Sequence, residues 1–265
     1  MMSSFGSWCW PRLGQAALVV ALGGCASVPE GYQDPVDPWE GYNRAVTRFN
    51  DDFDAAIYRP VARGYKKVAP RFVDHGVTNF FGNQRDFISA LNNLLQLKLD
   101  RAASDVGRVA INSTVGLLGF IDVATHMDLP KRNEDFGQTL AFWGVDSGPF
   151  FVLPFLGPST VRDGLSVPVD WYLFDPVFRD KELEVTLSLL AIRYTDLRAD
   201  LITATDIIDE TAPDKYAYIR DAFLQRREYL IHDGNPPEED FSEDELFKDE
   251  NLFEDDLDLE KDLKK

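Results

Sequence analysis

Large apolar residues recur at three- and four-residue spacing through most of the chain, and that period predicts helices. Asp37-Pro38-Trp39-Glu40 opens the first: Asp37 is placed to cap it, Pro38 fits its first turn and Glu40 completes a capping box. Tyr42, Val46, Phe49, Phe53 and Ile57 form one apolar stripe, which Arg59-Pro60 closes. A second helix starts at Pro60, carries Val61, Tyr65 and Val68, and stops at Ala69-Pro70. A third is predicted over 71–81, with Gly82 supplying a C-terminal cap, and Phe87, Ile88, Leu91, Leu94 and Leu95 mark a fourth. The fifth, over 99–112, gathers Ala102, Ala103, Val106, Val109 and Ala110 on a small face that allows close helix packing.

Residues 114–122 are apolar and broken by Gly116 and Gly119, which weaken a helix and permit a turn or a close backbone approach. Residues 129–135 read as a polar loop, and a short helix over 136–143 stops at Gly144. Ser159 or Thr160, with Asp163, caps another short helix, and Pro168, Trp171 and Pro176 interrupt the region beyond it. The longest clean helix is predicted over 181–201, with Leu183, Leu187, Leu190 and Tyr194 on its face, then a short one over 204–210. Pro213 starts the last helix and turns Tyr216, Ile219, Phe223 and Leu230 inward; Gly234 and Pro236-Pro237 end the body. There is no βαβ alternation and no sustained period of two, so the fold class is all-α, with many short, bent helices.

One stretch departs from this texture. Gly148 to Gly157 reads Gly-Pro-Phe-Phe-Val-Leu-Pro-Phe-Leu-Gly, and Pro149 and Pro154 forbid a continuous helix. Loops are normally polar and on the surface. An apolar one is either a buried crossing segment or a segment set against lipid. Phe150, Phe151 and Phe155 are the candidates for lipid contact, with plain core aromatics as the competing reading. The bent path is expected to be something other than a strand in a sheet.

Charge and chemistry narrow the function. The net charge of −18 excludes a generic nucleic-acid binder, which needs basic surface for phosphates. Glu238 to Lys265 holds 14 acidic and 4 basic residues, so it carries −10 of that total. Acidic residues there alternate with Phe241, Leu246, Phe247, Leu252 and Phe253, the composition of a disordered tail that either folds on a partner or merely solubilises. His75, His126 and His232 fall in no metal-ligand spacing, and G-x-S-x-G and phosphate-loop motifs are absent. The body has no cysteine, hence no catalytic thiol and no internal disulfide. An enzyme is not expected, nor a metal or cofactor.

The first 24 residues look like an export signal: Arg12 is the only charge and Leu13 to Leu22 is an apolar core too short to span a bilayer. It ends in Leu22-Gly23-Gly24-Cys25, which resembles a lipobox, with Gly23 a mild departure from the usual Ala or Ser. Cys25 is then the acylated first residue of the mature chain, and several acyl chains on one cysteine anchor stably. Ordinary cleavage near Ala26 is the competing reading. Ala26 and Ser27 lack the Asp that retains lipoproteins in the inner membrane, which resembles outer-membrane sorting. The expected organisation is a signal over 1–24, an anchor and tether over 25–37, a helical body over 38–234 and an acidic tail over 235–265.

The lipobox is followed in order by Asp37-Pro38-Trp39-Glu40-Gly41-Tyr42-Asn43-Arg44, Tyr58-Arg59-Pro60, Asn79-Phe80-Phe81-Gly82-Asn83 and Asn112-Ser113-Thr114-Val115-Gly116. Gly119-Phe120-Ile121-Asp122, Asp135-Phe136-Gly137-Gln138, Gly148-Pro149-Phe150, Leu153-Pro154-Phe155-Leu156-Gly157 and Arg162-Asp163-Gly164 continue the series. From Cys25 to Gly234 the chain resembles the MlaA (VacJ) family of outer-membrane lipoproteins. The resemblance implies a ring-like helical protein in the inner leaflet of the outer membrane, around a central amphipathic channel. It implies removal of phospholipids mislocalised to the outer leaflet. These pass to a soluble periplasmic carrier that feeds an inner-membrane ABC transporter, and the family associates with trimeric porins. Asn79, Phe80, Phe81 and Gly82 become candidates for a channel-adjacent hinge. The rival expectation is a structural envelope lipoprotein that scaffolds porins without moving lipid.

Overall fold

A computed structural model describes residues 34–177 and 182–237. The expected signal, the anchor Cys25, most of the tether and almost all of the acidic tail lie outside the described residues. The chain divides after Arg227 into two compact units. In the first, α1 (Glu40–Phe53) passes through one wide turn (Asp54–Tyr58) directly into α2 (Arg59–Val68). Next come α3 (Arg71–Leu95), α4 (Leu99–Thr114), a 3-10 turn (Ala124–Met127) and α5 (Phe136–Phe142). Strands β1 (Phe150–Leu153) and β2 (Gly157–Thr160) precede α6 (Val161–Val169), which runs into a second wide turn (Asp170–Phe174). The unit closes with α7 (Leu183–Thr211) and most of α8 (Lys215–Ile231). The fold is all-α, with one small hairpin. The described part of the second unit is the end of α8 and a turn in which Asp233 and Gly234 take positive φ.

Several boundaries differ from the sequence pattern. Pro60 does not separate two helices; it sits in the first turn of α2, immediately after the wide turn at which the regular helical ladder is interrupted. Asp37 caps nothing: Trp39 precedes α1 with no side-chain cap. Asp37 is instead buried, accepting from Asn43 Nδ2 at 2.7 Å and from the Tyr216 hydroxyl. The third and fourth predicted helices are one, because α3 runs through Gly82 without adopting positive φ there. The helices predicted over 181–201 and 204–210 likewise merge in α7. The expected cap forms at Thr160, which accepts the Asp163 amide at 3.2 Å, and Asp135, read as part of a loop, caps α5 by accepting the Gln138 amide at 2.9 Å.

The greasy stretch is a strand pair after all. Phe150 faces Thr160 and Leu153 faces Gly157 in antiparallel register. Phe155, at φ 64°, and Gly157, at φ 85°, turn the chain within the hairpin. Prolines are compatible with so short a ribbon: Pro149 precedes it, Pro154 lies in its turn, and Pro158 faces Val152 in a two-stranded ribbon whose strands are both edges. The exposed edge of β1 is covered by amide side chains: Asn43 pairs with Phe150 and Val152, and Asn50 with Leu153 and Phe155. This blunts an edge that would otherwise pair with another chain.

Candidate functional site

Among the described residues, 22 buried side chains are polar or charged and 11 are apolar, while 36 large apolar residues are exposed. Proteins that live in water distribute these classes the other way round, with Asp, Asn and Arg mostly outside. Extended exposed apolar surface marks contact with a membrane or a partner. No helix of the described residues is long and apolar enough to cross a membrane.

The buried polar groups pair largely with one another, although some atoms, Asp86 Oδ1 and Arg227 Nε among them, have no partner. Arg108, 0% exposed, donates to Asp86 at 2.9 Å, to Asp122 at 3.0 Å, to Thr125 at 3.1 Å and to the Leu129 carbonyl at 2.6 Å. Asn112 completes the cluster, donating to Asp122 and accepting the Ala124 amide. Desolvation alone pushes the Asp122 carboxyl up, but hydrogen bonds from Thr125, Asn112 and Arg108 outweigh it and hold the group far below the usual range. Around Arg227 a second cluster ties α5, α6 and α8 together. The guanidinium reaches both Asp135 oxygens, at 2.6 and 3.1 Å, and Asp163 at 2.8 Å. In the first wide turn, Asp54 accepts two bonds from Arg198 and one from Arg59, fastening the α1–α2 corner to α7. Charges buried in this way must be paired to be tolerated.

The polar stripes have helical spacing. On α3 they are Asn83, Asp86, Asn93 and, one residue round, Ser89, Asn92 and Gln96; on α4 they are Asp105, Arg108 and Asn112. The apolar residues between them face outward and border two open concavities. One, of about 470 Å³, lies between α3 and α4 and is lined by Phe87, Leu91, Leu94, Leu99, Ala103 and Val106. The other, of about 350 Å³, is lined by Val77, Phe80, Phe81, Leu117, Leu118 and Ile192. Leu117 and Leu118 are 68% and 73% exposed at φ 54° and 61°. Two exposed leucines in the left-handed region make a poor surface turn in water. Gly119, at φ 92°, brings the chain back against Asn83, where an added Cβ would sit 2.7 Å from the Asn83 Cβ.

The candidates named from the sequence are scattered. Phe80 and Phe81 stack edge to face, 5.2 Å between centroids, at the smaller concavity. Asn79 donates to the Phe120 carbonyl at 3.2 Å, tying α3 to that turn. Gly82 is inside α3. Phe150 is 1% exposed and packed against Tyr216 and Phe223, which favours the competing reading of a plain core aromatic. Strand alternation sends Phe151 to the other side, where its ring lies over Gly164. Phe155 remains 50% exposed in the turn, against Phe49 and Phe53. The polar clusters are absent from the sequence candidates, although their three- and four-residue spacing is visible there.

The model of the family described as MlaA lipoprotein matches residues 35–230. The chain belongs to the MlaA lipoprotein family. The intermembrane phospholipid transport system lipoprotein MlaA of Escherichia coli K12 is 33% identical over 229 residues, which is 84% of this chain and 90% of that protein. The protein of the same description from Haemophilus influenzae is 29% identical, over 81% of this chain and 88% of that one. A solved structure, described as the structural basis for maintenance of bacterial outer membrane lipid asymmetry, superposes with a TM-score of 0.65 at 29% identity. It covers 74% of this MlaA-family chain and 98% of the solved one.

Proposed function

We propose that this MlaA-family chain is an outer-membrane lipoprotein that removes phospholipids mislocalised to the outer leaflet and so maintains lipid asymmetry. The signal over 1–24 is cleaved and Cys25 is acylated, so that the tether holds a ring-like helical body at the periplasmic leaflet. Exposed apolar residues, Leu117, Leu118 and Phe155 among them, rest among acyl chains. Lipid passes the polar interior through an amphipathic channel, near Asn79, Phe80, Phe81 and Gly82. A soluble periplasmic carrier then takes it towards an inner-membrane ABC transporter, and trimeric porins are neighbours in the membrane. The protein itself is a conduit and catalyses no reaction.

The observation that carries this reading is the inverted distribution of side chains, polar within and apolar without, in a chain of this family. Helices suit such a body because each satisfies its own backbone where water is scarce. The test is labelling of outer-leaflet phospholipid in a deletion strain. Deletion should raise the outer-leaflet signal and detergent sensitivity. The wild-type gene should restore both, and a Cys25→Ala variant should not. Altered porin assembly with unchanged asymmetry would favour a scaffold instead.

A further inference from the structure

The corner where α2 turns into α3 is an apolar tip and a basic point at once. Val68 is 81% exposed, the highest of the large apolar residues described, and Phe72, at 72%, is the highest of the described phenylalanines. They stand on either side of Pro70. Val61, also exposed, extends the apolar stripe two turns back along α2. Lys66 and Lys67 directly precede Val68, Arg71 directly precedes Phe72, and no acidic residue falls between Lys66 and Phe72. The chain as a whole carries −18.

The remaining cations of α2 are committed to α7. Arg59 donates to Asp209 at 2.9 Å, Arg63 to Asp206 at 3.4 Å and Lys66 to Asp200 at 3.1 Å. Lys67 and Arg71 are exposed and make no hydrogen bond or ion pair to a described residue. Asp74, the next acid along α3, is half-buried, with Oδ1 closed off from solvent. The charge that the corner turns outward is therefore that of Lys67 and Arg71.

On its inner side the corner is fixed. The buried Asp196 of α7 accepts the Tyr65 hydroxyl of α2 at 3.1 Å and the Thr78 hydroxyl of α3 at 3.0 Å, one bond on each side of Pro70. The turn also satisfies much of its own backbone. The Ala69 amide donates to the Tyr65 carbonyl at 2.8 Å, and the Pro70 carbonyl accepts the Val73 amide at 2.9 Å. Pro70 has no N–H to satisfy. A turn with few free donors leaves water at little cost, and one already held in place loses little freedom on docking.

Exposed apolar tips alone do not name their partner, but the flanking cations do. Apolar side chains beside Lys and Arg match a membrane interface: the tips enter the acyl region and the long cationic chains reach the phosphates. The turn at Leu117 and Leu118 makes the contrast, since no charged residue falls between Ser113 and Ile121. We infer that the α2–α3 corner docks on anionic phospholipid, with Val68 and Phe72 among acyl chains and Lys67 and Arg71 on headgroup phosphates. This rests on the reading of the chain as a membrane lipoprotein and adds to it a place and a lipid class. An acidic body facing an anionic surface presents its basic point, so the corner also orients the body.

The experiment uses the full lipidated chain in vesicles of phosphatidylcholine mixed with phosphatidylglycerol. The body has no cysteine of its own, so a fluorophore is placed on Val68→Cys or, for comparison, on Leu118→Cys. Quenching is measured with nitroxide-labelled phosphatidylglycerol and with nitroxide-labelled phosphatidylcholine at the same mole fraction. Each cation should enrich anionic lipid at the corner up to about fivefold, so phosphatidylglycerol should quench the Val68→Cys label more strongly. The excess should vanish when Lys67→Gln and Arg71→Gln are added, and shrink as salt rises. Equal quenching by the two lipids overturns the anionic preference, and an excess that survives both changes overturns the role of the cations. Quenching on Leu118→Cys but none on Val68→Cys overturns this inference alone. Quenching at neither position overturns the membrane reading together with it. In cells, a photoreactive phenylalanine analogue in place of Phe72 should capture phospholipid; capture of protein instead makes the corner a protein interface and overturns the lipid assignment.

Discussion

The Asn43 carboxamide replaces a missing strand at the edge of β1: its Oδ1 accepts the Val152 amide at 2.8 Å. Its Nδ2 donates to the Phe150 carbonyl at 3.2 Å and to Asp37 at 2.7 Å. Asn43→Leu keeps the volume and leaves buried backbone groups without partners, so it should cost on the order of 3 kcal/mol. Asn50→Leu makes the same change in a more exposed place and should cost about 1 kcal/mol. Chemical denaturation in detergent separates the two. Equal effects would mean that burial of the edge is immaterial.

Arg108 and Asp86 form a pair that is almost wholly buried, so breaking it is worse than removing it. Arg108→Met strands the Asp86 carboxylate, already pushed up by burial, and should destabilise by about 3–5 kcal/mol. Adding Asp86→Leu should recover part of that loss. A double variant less stable than Arg108→Met would show that the cluster depends on Asp86 for more than charge balance.

Leu117 and Leu118 allow membrane contact to be tested apart from stability. Asparagine tolerates the left-handed conformation better than leucine. The pair Leu117→Asn and Leu118→Asn should therefore leave folding unchanged or improve it, while weakening association with phospholipid vesicles. Undiminished association would remove this turn from the lipid-facing surface.

Helical period is legible in the sequence at nearly every element, and the all-α class comes directly from it. What period alone does not state is which stripe faces in. On α3 the apolar Leu94 and Leu95 are exposed while Asn92 and Asn93 are fully buried; on α1 Phe49 is exposed while Asn43 is buried. Periodicity has the same phase in water and in lipid, but the preferred side reverses. The hairpin is hidden for another reason. Its edge bonds come from Asn43 and Asn50, more than a hundred residues away, so no local pattern records them. Gly82 misleads because glycine after an apolar run is the usual mark of a helix end, whereas here tertiary packing carries the helix past it.

Asp170 gives the fold a pH dependence opposite in sign to that of its salt-bridged carboxylates Asp54, Asp135 and Asp209. Burial, then the nearby charge of Asp135, raise its pKa to about 7 against the hydrogen bond from the Phe136 amide. The folded state thus holds this proton more tightly than the unfolded chain does. Its contribution is full below the ordinary carboxylate range, about 4, and is lost as pH rises through about 7. Asp54, Asp135 and Asp209 are depressed and lose stability on the acid side. Subtracting the profile of Asp170→Asn cancels those groups. The wild-type advantage should fall between pH 4 and 7 and stay level above; a level difference throughout would count against a raised pKa.

Gly82 separates a helix end from a helix interior, and both from a hinge. At a C-terminal cap with positive φ, Gly82→Ala would destabilise. Inside α3 it should do the reverse, by up to about 1 kcal/mol, because glycine loses more backbone freedom than alanine on folding. The added Cβ would meet the Lys131 Nζ at 2.3 Å, but that is the far end of a flexible side chain and can move aside. Stabilisation in Gly82→Ala therefore settles the backbone question. Function is read separately, as outer-leaflet phospholipid in cells carrying the variant. If α3 must bend at Gly82 for lipid to pass, asymmetry should suffer although the protein melts higher. A stabilised variant that clears phospholipid normally leaves α3 as a rigid wall.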